Sequence, residues 1–173
     1  MAFRNILVTG PPGCGKSTLL GKVIGQLKEP LSGFITREIR EKGKRVGFSV
    51  ETLDGNKSVL AHIHSASAHK VGKYGVSIES IDRMVVPSLT ISNPSGIIIV
   101  DEIGKMECLS ASFRSAVSKI LDSPRLVVGS ISQKGGPFIQ SVRQRKDVLL
   151  IGITVANRDG LVDSILEMVH HPS

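Results

Sequence analysis

The segment GPPGCGKST at residues 10–18 is the strongest fold signal in this sequence. It fits the pattern G-x-x-x-x-G-K-[ST], whose glycines let the backbone curl until successive N–H groups point at phosphate oxygens. The lysine of the pattern, Lys16, reaches the β and γ phosphates, and the hydroxyl of Ser17 is a ligand of Mg²⁺. We therefore expect Mg²⁺ and a nucleoside triphosphate at this loop, bound by Gly10, Pro11, Pro12, Gly13, Cys14, Gly15, Lys16, Ser17 and Thr18.

The residues on either side of this loop predict a strand and a helix. Ile6, Leu7 and Val8 form a short apolar run directly before it. After it, apolar residues recur at helical spacing and form one stripe, which consists of Leu19, Leu20, Val23, Ile24 and Leu27. A helix that begins here presents the positive end of its dipole to the phosphates. This context distinguishes the loop from a chance match in a turn.

Three further apolar runs predict strands of the same sheet: IIIV at residues 97–100, LVV at 126–128 and VLLI at 148–151. Consecutive apolar residues place side chains on both faces of a strand, so both faces must be buried. That pattern is typical of a parallel sheet covered by helices on both sides. The sequence thus predicts a three-layer α/β fold with a mainly parallel central sheet, in a single domain that covers residues 1–173.

Helices are predicted between these strands. Ser110 can cap a helix whose apolar stripe is Phe113, Ala116, Val117, Ile120 and Leu121. A similar stripe near the C-terminus is formed by Leu161, Val162, Ile165, Leu166 and Val169. A weaker helix is predicted over residues 78–85, and Pro87 should end or kink it.

One stretch departs from the alternation of strands and helices. Between residues 33 and 63, Val46, Phe48 and Val50 alternate with polar or small residues, as in a half-exposed antiparallel strand. Turns are indicated by KGK at residues 42–44 and by DG at 54–55. We therefore expect an antiparallel β-meander inserted after the first helix.

A pair of carboxylates, Asp101 and Glu102, directly follows the IIIV run. The carboxyl ends of parallel strands meet at the edge where α/β sheets bind ligands, so both side chains should face the nucleotide. Asp101 is the expected partner of Mg²⁺. Glu102 can act as the general base that polarises an attacking water. The alternative for Glu102 is a surface carboxylate at the start of a helix.

Composition excludes several classes of protein. The chain has 173 residues, 40% of them hydrophobic, which suits one globular domain. Because no apolar stretch reaches about 18 residues, we expect no membrane span, and two cysteines favour a reducing cytoplasm over a disulfide framework. Cys14 should contribute only its backbone N–H. The net charge of +7 attracts polyanions or simply aids solubility.

Several other polar residues are candidates for the site. A basic group on the meander could supply an arginine finger or could be a solvated hairpin; it consists of Arg37, Arg40, Lys42, Lys44 and Arg45. Lys105 could contact phosphate or be exposed. Further candidates follow the last two strands: Ser132, Gln133 and Lys134 for sensing the γ-phosphate, and Asn157 and Arg158 for contact with the base. Asn157 could instead cap the final helix.

Nucleic acid and zinc are not favoured as partners. Arg143, Arg145 and Lys146 form a small basic group, but aromatic residues make up only 3% of the chain, and proteins that bind single strands supply aromatic side chains for stacking. The five histidines lack ligand spacing with cysteine partners.

Segments along nearly the whole chain resemble the small P-loop nucleoside-triphosphatase family of the thermophile NTPase and cancer-related type. They are VTGPPGCGKSTL (8–19), GFITREIREKGKRVGF (33–48), VGKYGV (71–76), VDEIGKME (100–107) and ITVANRD (153–159). The resemblance implies a RecA-like or kinase-like fold and slow Mg²⁺-dependent hydrolysis of several triphosphates. By position, it implies phosphate binding by residues 10–18, a metal site at Asp101 and a base at Glu102.

Hydrolysis of ATP, GTP, CTP and UTP with low base selectivity is the function that these observations favour, and the sequence contains no N-K-x-D segment of the kind that recognises guanine. Two alternatives stay open. A kinase would transfer the γ-phosphoryl group to an acceptor hydroxyl, and a nucleotide-dependent switch would bind tightly without turnover. We expect a cytoplasmic monomer.

Overall fold

The computed structural model describes residues 3–90 and 94–171, within which nine strands form one sheet. The strands are β1 (Asn5–Thr9), β2 (Leu31–Glu41), β3 (Lys44–Thr52), β4 (Lys57–His62), β5 (Lys70–Val71), β6 (Tyr74–Val76), β7 (Ile97–Ile103), β8 (Leu126–Ile131) and β9 (Val148–Gly152). Their order across the sheet is β5-β6-β4-β3-β2-β7-β8-β1-β9.

The five strands β2, β7, β8, β1 and β9 pair in parallel. The four apolar runs that predict buried strands lie in β1, β7, β8 and β9. Leu7, Val8, Ile99 and Val100 are completely buried, as residues must be when helices cover both faces of a sheet. The carboxyl ends of the parallel strands meet at one edge, which brings the residues that follow them together.

Strand β2 belongs to both halves of the sheet. Residues 31–34 pair in parallel with β7, whereas residues 34–41 pair antiparallel with β3. Strands β4, β6 and β5 continue the antiparallel half to Val76, well past the predicted end at residue 63. The sequence prediction missed the parallel part of β2 because Leu31 and Ser32 lack the long apolar run that marks the other central strands.

Helices cover the two faces of the sheet. They are α1 (Lys16–Ile24), α2 (Ile78–Ser80), α3 (Val86–Ser88), α4 (Ala111–Asp122), α5 (Pro137–Arg143) and α6 (Arg158–His170). On one face α1 and α6 pack against Ile6 and Val8. On the other face α4 and α5 pack against Leu7 and Val127. Successive β1 residues thus enter opposite hydrophobic clusters, which produces the three layers.

The helix predicted over residues 78–85 extends farther than expected. A π-helical turn at Ile81–Val85 joins α2 to α3, and Pro87 lies inside α3. Pro87 therefore does not end the helix at the preceding residue. The backbone N–H of Val86 instead bonds to the carbonyl of Ile81, five residues back, so the widened turn comes directly before the proline.

Helix α5 was not predicted, because its seven residues are too few to form a clear apolar stripe. Among residues 3–90 and 94–171, no helix combines the length and the apolar character that crossing a bilayer requires.

The predicted cap of α4 is confirmed. The hydroxyl oxygen of Ser110 accepts a hydrogen bond from the backbone N–H of Phe113 at 3.0 Å, and the hydroxyl donates to Asp82. We expect Ser110→Ala to lower the free energy of unfolding by about 1 kcal/mol, because a helix N–H loses its partner. Urea denaturation measures this change. Ser115→Ala, at an exposed position inside the same helix, is the control and should cost nothing; equal losses in the two variants would contradict the capping role.

Candidate nucleotide-binding and catalytic site

The phosphate-binding pattern forms the turn between β1 and α1. Gly13 and Gly15 have φ of 77° and 99°, a region that favours glycine, and Gly15 caps α1. The Nζ of Lys16 donates to the carbonyl oxygen of Gly10 at 2.9 Å, so its stem lies along the loop. The side chain of Cys14 is buried in the hydrophobic cluster of α1 and α6, and its backbone N–H bonds to the carbonyl of Pro11 at 3.3 Å.

Asp101 lies in β7 beside this loop and accepts hydrogen bonds from serine hydroxyl groups. Its Oδ1 accepts from the hydroxyl of Ser130 at 2.8 Å and from that of Ser17 at 3.3 Å. The side chain is buried, which raises its pKa, although the hydrogen bonds from Ser130 and Ser17 oppose the rise. A buried carboxylate this close to the loop hydroxyl forms the oxygen-rich donor set that Mg²⁺ prefers.

Glu102 is partly exposed at the same edge. Its Oε1 accepts a hydrogen bond from the hydroxyl of Ser132 at 2.7 Å, and its Oε2 lies 4.0 Å from the Nζ of Lys16. One carboxylate oxygen is therefore fixed by a neutral donor, while the other faces the lysine of the phosphate-binding pattern. The structure thus brings Lys16, Glu102 and Ser132 together, as their places in the sequence predict.

A second buried carboxyl group, Glu107, lies behind Glu102 and was not predicted. Glu107 is only 5% exposed. A Cβ added to Gly104 would lie 2.8 Å from a carboxyl oxygen of Glu102 and 2.8 Å from one of Glu107. A side chain at position 104 would therefore displace both carboxyl groups from their observed positions. Burial, together with the charge of Glu102, raises the pKa of Glu107 to about 8.

The segment after β9 runs along the phosphate loop. A Cβ added to Gly10 would meet the carbonyl oxygen of Ile153 at 2.7 Å, and one added to Gly15 would meet the side chain of Arg158 at 3.3 Å. Arg158 therefore lies against the loop. The amide of Asn157 is engaged by its own turn instead, because it accepts from the backbone of Thr154 at 2.7 Å and donates to the backbone of Gly152 at 3.0 Å. Its side chain makes no capping bond to α6.

The arginines on the β2–β3 hairpin are paired with carboxylates. Arg37 lies 3.5 Å from Glu51, and Arg40 and Arg45 both contact Glu38, at 2.7 and 3.1 Å. These charges are already compensated, which favours the solvated hairpin over the arginine finger. Lys105 is exposed at the ligand edge.

The small basic group near the C-terminus is divided by the structure. Arg145 forms ion pairs with Asp147 and Asp122. Arg143 points instead toward the site, where its Nη1 donates to the hydroxyl of Thr9 at 2.8 Å and to the carbonyl of Ser132 at 3.2 Å. Sequence reasoning missed this contact because no local pattern shows that the end of α5 lies beside the end of β1.

Comparison with known proteins gives consistent results. A sequence model of the family described as NTPase matches residues 5–166. The nucleoside-triphosphatase THEP1 of a Thermotoga species is 42% identical over 95% of this chain and 94% of its own length. The human cancer-related nucleoside-triphosphatase is 36% identical over 96% of each chain. The crystal structure of THEP1 from Aquifex aeolicus superposes with a TM-score of 0.89 at 33% identity, over 96% of this chain and 99% of that one.

Proposed function

We propose that this chain, which belongs to the NTPase family and hydrolyses nucleoside triphosphates, does so with Mg²⁺. We further propose that Glu102 is the general base and that the enzyme selects little among nucleobases. The observation that carries the assignment of the base is the position of Glu102. Its carboxylate is held by Ser132 at 2.7 Å and faces Lys16 at 4.0 Å, beside the place where the γ-phosphate must lie. A carboxylate at that point can accept a proton from the attacking water.

The phosphate loop supplies most of the binding. Backbone N–H groups of residues 13–18 donate to the phosphates, since Pro11 and Pro12 have none, and Lys16 exchanges its bond to Gly10 for the β and γ oxygens. Ser17 and Asp101 would hold Mg²⁺, which neutralises charge on those oxygens when it is bound. Ser130 keeps the Asp101 carboxylate in place through its 2.8 Å hydrogen bond. Arg158, against Gly15, adds positive charge beside the loop.

The structure also offers a reason for low base selectivity. Asn157, expected to contact the base, uses one lone pair and one N–H of its amide within its own turn, so the side chain is held there and is not free to turn toward a base edge. Val155 in the same turn is 65% exposed and offers an apolar surface. An apolar contact with the face of a base does not distinguish adenine from guanine or a pyrimidine.

We assign the parallel strands to the RecA-like rather than the kinase-like arrangement. Strand β8 lies between β1, which carries the phosphate loop, and β7, which carries Asp101 and Glu102. This inserted strand also delivers Ser130 and Ser132 to the two carboxylates. Its two hydroxyl groups hold the metal ligand and the base in fixed positions, an arrangement suited to activating water and therefore favouring hydrolysis over transfer to an acceptor.

The cysteines bear on location. Cys14 and Cys108 form no disulfide, and burial raises the pKa of the Cys108 thiol to about 12. An unreactive, partly buried thiol suits a reducing compartment, and we propose a cytoplasmic location.

The test is release of phosphate from ATP, GTP, CTP and UTP, each measured with Mg²⁺ and with a chelator. We expect all four to be hydrolysed with Mg²⁺ at rates within about tenfold of one another, since an apolar base contact discriminates weakly. Asp101→Asn should raise the Mg²⁺ concentration that half-maximal turnover requires. Undiminished phosphate release in the chelator would refute the role of Mg²⁺. Release from only one of the four triphosphates would refute the low selectivity among nucleobases.

A further inference from the structure

Arg143, the last residue of α5, joins the two strand ends that flank the site. Through Nη1 it donates to the hydroxyl of Thr9 at 2.8 Å and to the carbonyl of Ser132 at 3.2 Å. Thr9 immediately precedes Gly10 of the phosphate loop, and the hydroxyl of Ser132 holds Glu102 at 2.7 Å. The guanidinium group therefore bridges the residue that leads into the phosphate loop and the residue whose hydroxyl holds Glu102.

The charge of Arg143 is met only by neutral oxygens. Within residues 3–90 and 94–171 it forms no ion pair, whereas Arg37, Arg40, Arg45 and Arg145 each contact a carboxylate. Its Nε and Nη2 groups, which carry three further N–H donors, make no hydrogen bond with that part of the chain. A partly buried guanidinium group beside a triphosphate site has phosphate as its natural counter-ion.

Arg143 also approaches from the side opposite to Lys16. Lys16 begins α1, which packs on one face of the sheet, whereas α5 packs on the other face through Ile139 and Val142. Two cations that reach a phosphoryl group from opposite faces can stabilise charge on different oxygens. The β2–β3 hairpin arginines cannot take this part without first giving up their carboxylate partners.

We propose, on the premise of the hydrolytic function above, that Arg143 is a catalytic residue that contacts the γ-phosphate. While Nη1 stays anchored to Thr9, the remaining donors bind γ-phosphate oxygens and stabilise the negative charge that develops in the transition state. The chain thus carries in cis the arginine that some triphosphatases receive from a partner.

The proposal predicts separate effects on turnover and on binding. Arg143→Ala should lower kcat roughly 10²-fold, the typical loss for one donor aimed at transition-state charge. It should weaken the binding of a non-hydrolysable ATP analogue about tenfold and leave ADP affinity within about twofold, because only the γ-phosphate loses a charged partner. The kcat of Arg143→Lys should lie between those of the wild type and Arg143→Ala. Added guanidinium ion should restore part of the turnover of Arg143→Ala.

The experiment combines single-turnover phosphate release, titration calorimetry with both nucleotides and thermal unfolding of each variant. Arg37→Ala is the matched control, since it removes an arginine that is paired with Glu51 on the exposed hairpin, and its turnover should stay within about twofold of the wild type. A purely structural tie between Thr9 and Ser132 would weaken ADP and the analogue equally, with no rescue by guanidinium, and that result would overturn the proposal.

The affinity measurements test the role of Arg143 independently of the hydrolytic function. If the wild type releases no phosphate, the hydrolytic function fails, yet selective loss of analogue affinity in Arg143→Ala would still support the γ-phosphate contact. If the wild type is active and Arg143→Ala retains more than a third of its turnover with unchanged analogue affinity, the premise stands and the role of Arg143 is refuted.

Discussion

Replacing Glu102 with glutamine should remove nearly all phosphate release while nucleotide binding persists. Glutamine keeps the shape of the side chain and can still accept the hydrogen bond from Ser132, which is 2.7 Å long in the wild type. It cannot accept a proton from water, so turnover should fall by between about 10² and 10⁴, the usual contribution of a general base. Single-turnover release of phosphate from ATP with Mg²⁺ measures the loss.

The binding measurement makes this prediction specific. We expect the Glu102→Gln variant to bind a non-hydrolysable ATP analogue at least as tightly as the wild type, because a negative charge 4.0 Å from Lys16 is removed from the vicinity of the phosphates. Lys16→Ala, by contrast, should lose both binding and turnover. Glu41→Gln, on the exposed β2–β3 hairpin, is the control and should behave as the wild type. Full turnover in Glu102→Gln would show that another group activates the water.

The parts of the site that could be predicted from the sequence are those that lie close together along the chain. Residues 10–18 carry their own geometry, because loop, lysine and helix dipole follow one another without a break. Asp101 and Glu102 were found for a similar reason, since a long apolar run identifies β7 and its carboxyl end. In both places local sequence dictates local structure, and the parallel sheet then places the two segments at one edge.

The parts that could not be predicted depend on packing between distant elements. Ser130 is recognisable only as a small polar residue in a buried strand, until β8 is seen to lie between β1 and β7. Arg143 belonged to a basic group that the sequence analysis considered only for contact with nucleic acid, and its contact with Thr9 spans 134 positions in sequence. The burial of Glu107 could not be predicted, because nothing in the segment GKME (104–107) shows that the side chain of Glu107 turns inward past Gly104.

Around Glu102, the site contains more carboxyl groups than cationic side chains. Three carboxyl groups, those of Asp101, Glu102 and Glu107, lie near one another, and burial raises the pKa of both Asp101 and Glu107. Lys16 faces Glu102, and Arg143 approaches from the opposite face of the sheet. If Glu107 were ionised, its negative charge would repel Glu102 and the triphosphate alike. A proton held on Glu107 at neutral pH therefore removes one negative charge from the space behind Glu102.

That proton has a consequence for stability. The folded chain keeps Glu107 protonated up to about pH 8, whereas the unfolded chain releases the proton near its ordinary pKa of 4.5. Between these values the unfolded state binds fewer protons than the folded state, so the free energy of unfolding falls as the pH rises from about 4.5 to about 8. The pKa of Asp101 is raised as well and acts in the same direction.

Glu107→Gln should remove the part of this pH dependence that comes from Glu107 and leave the part that comes from Asp101, because glutamine resembles the protonated acid in shape and cannot ionise. At pH 5 the variant and the wild type should have nearly equal free energies of unfolding. At pH 8 the variant should be more stable, by up to about 5 kcal/mol at roughly 1.4 kcal/mol for each unit of the shift. Urea denaturation at both pH values, in chelator so that no metal alters the carboxyl groups, measures the difference.

Glu79→Gln removes a carboxylate that is 70% exposed and controls for the change in net charge. A Glu107→Gln variant less stable than the wild type at pH 8 would mean that Glu107 is ionised in the folded protein and compensated by a cation, in which case the glutamate pair at Gly104 would be a charged part of the catalytic site.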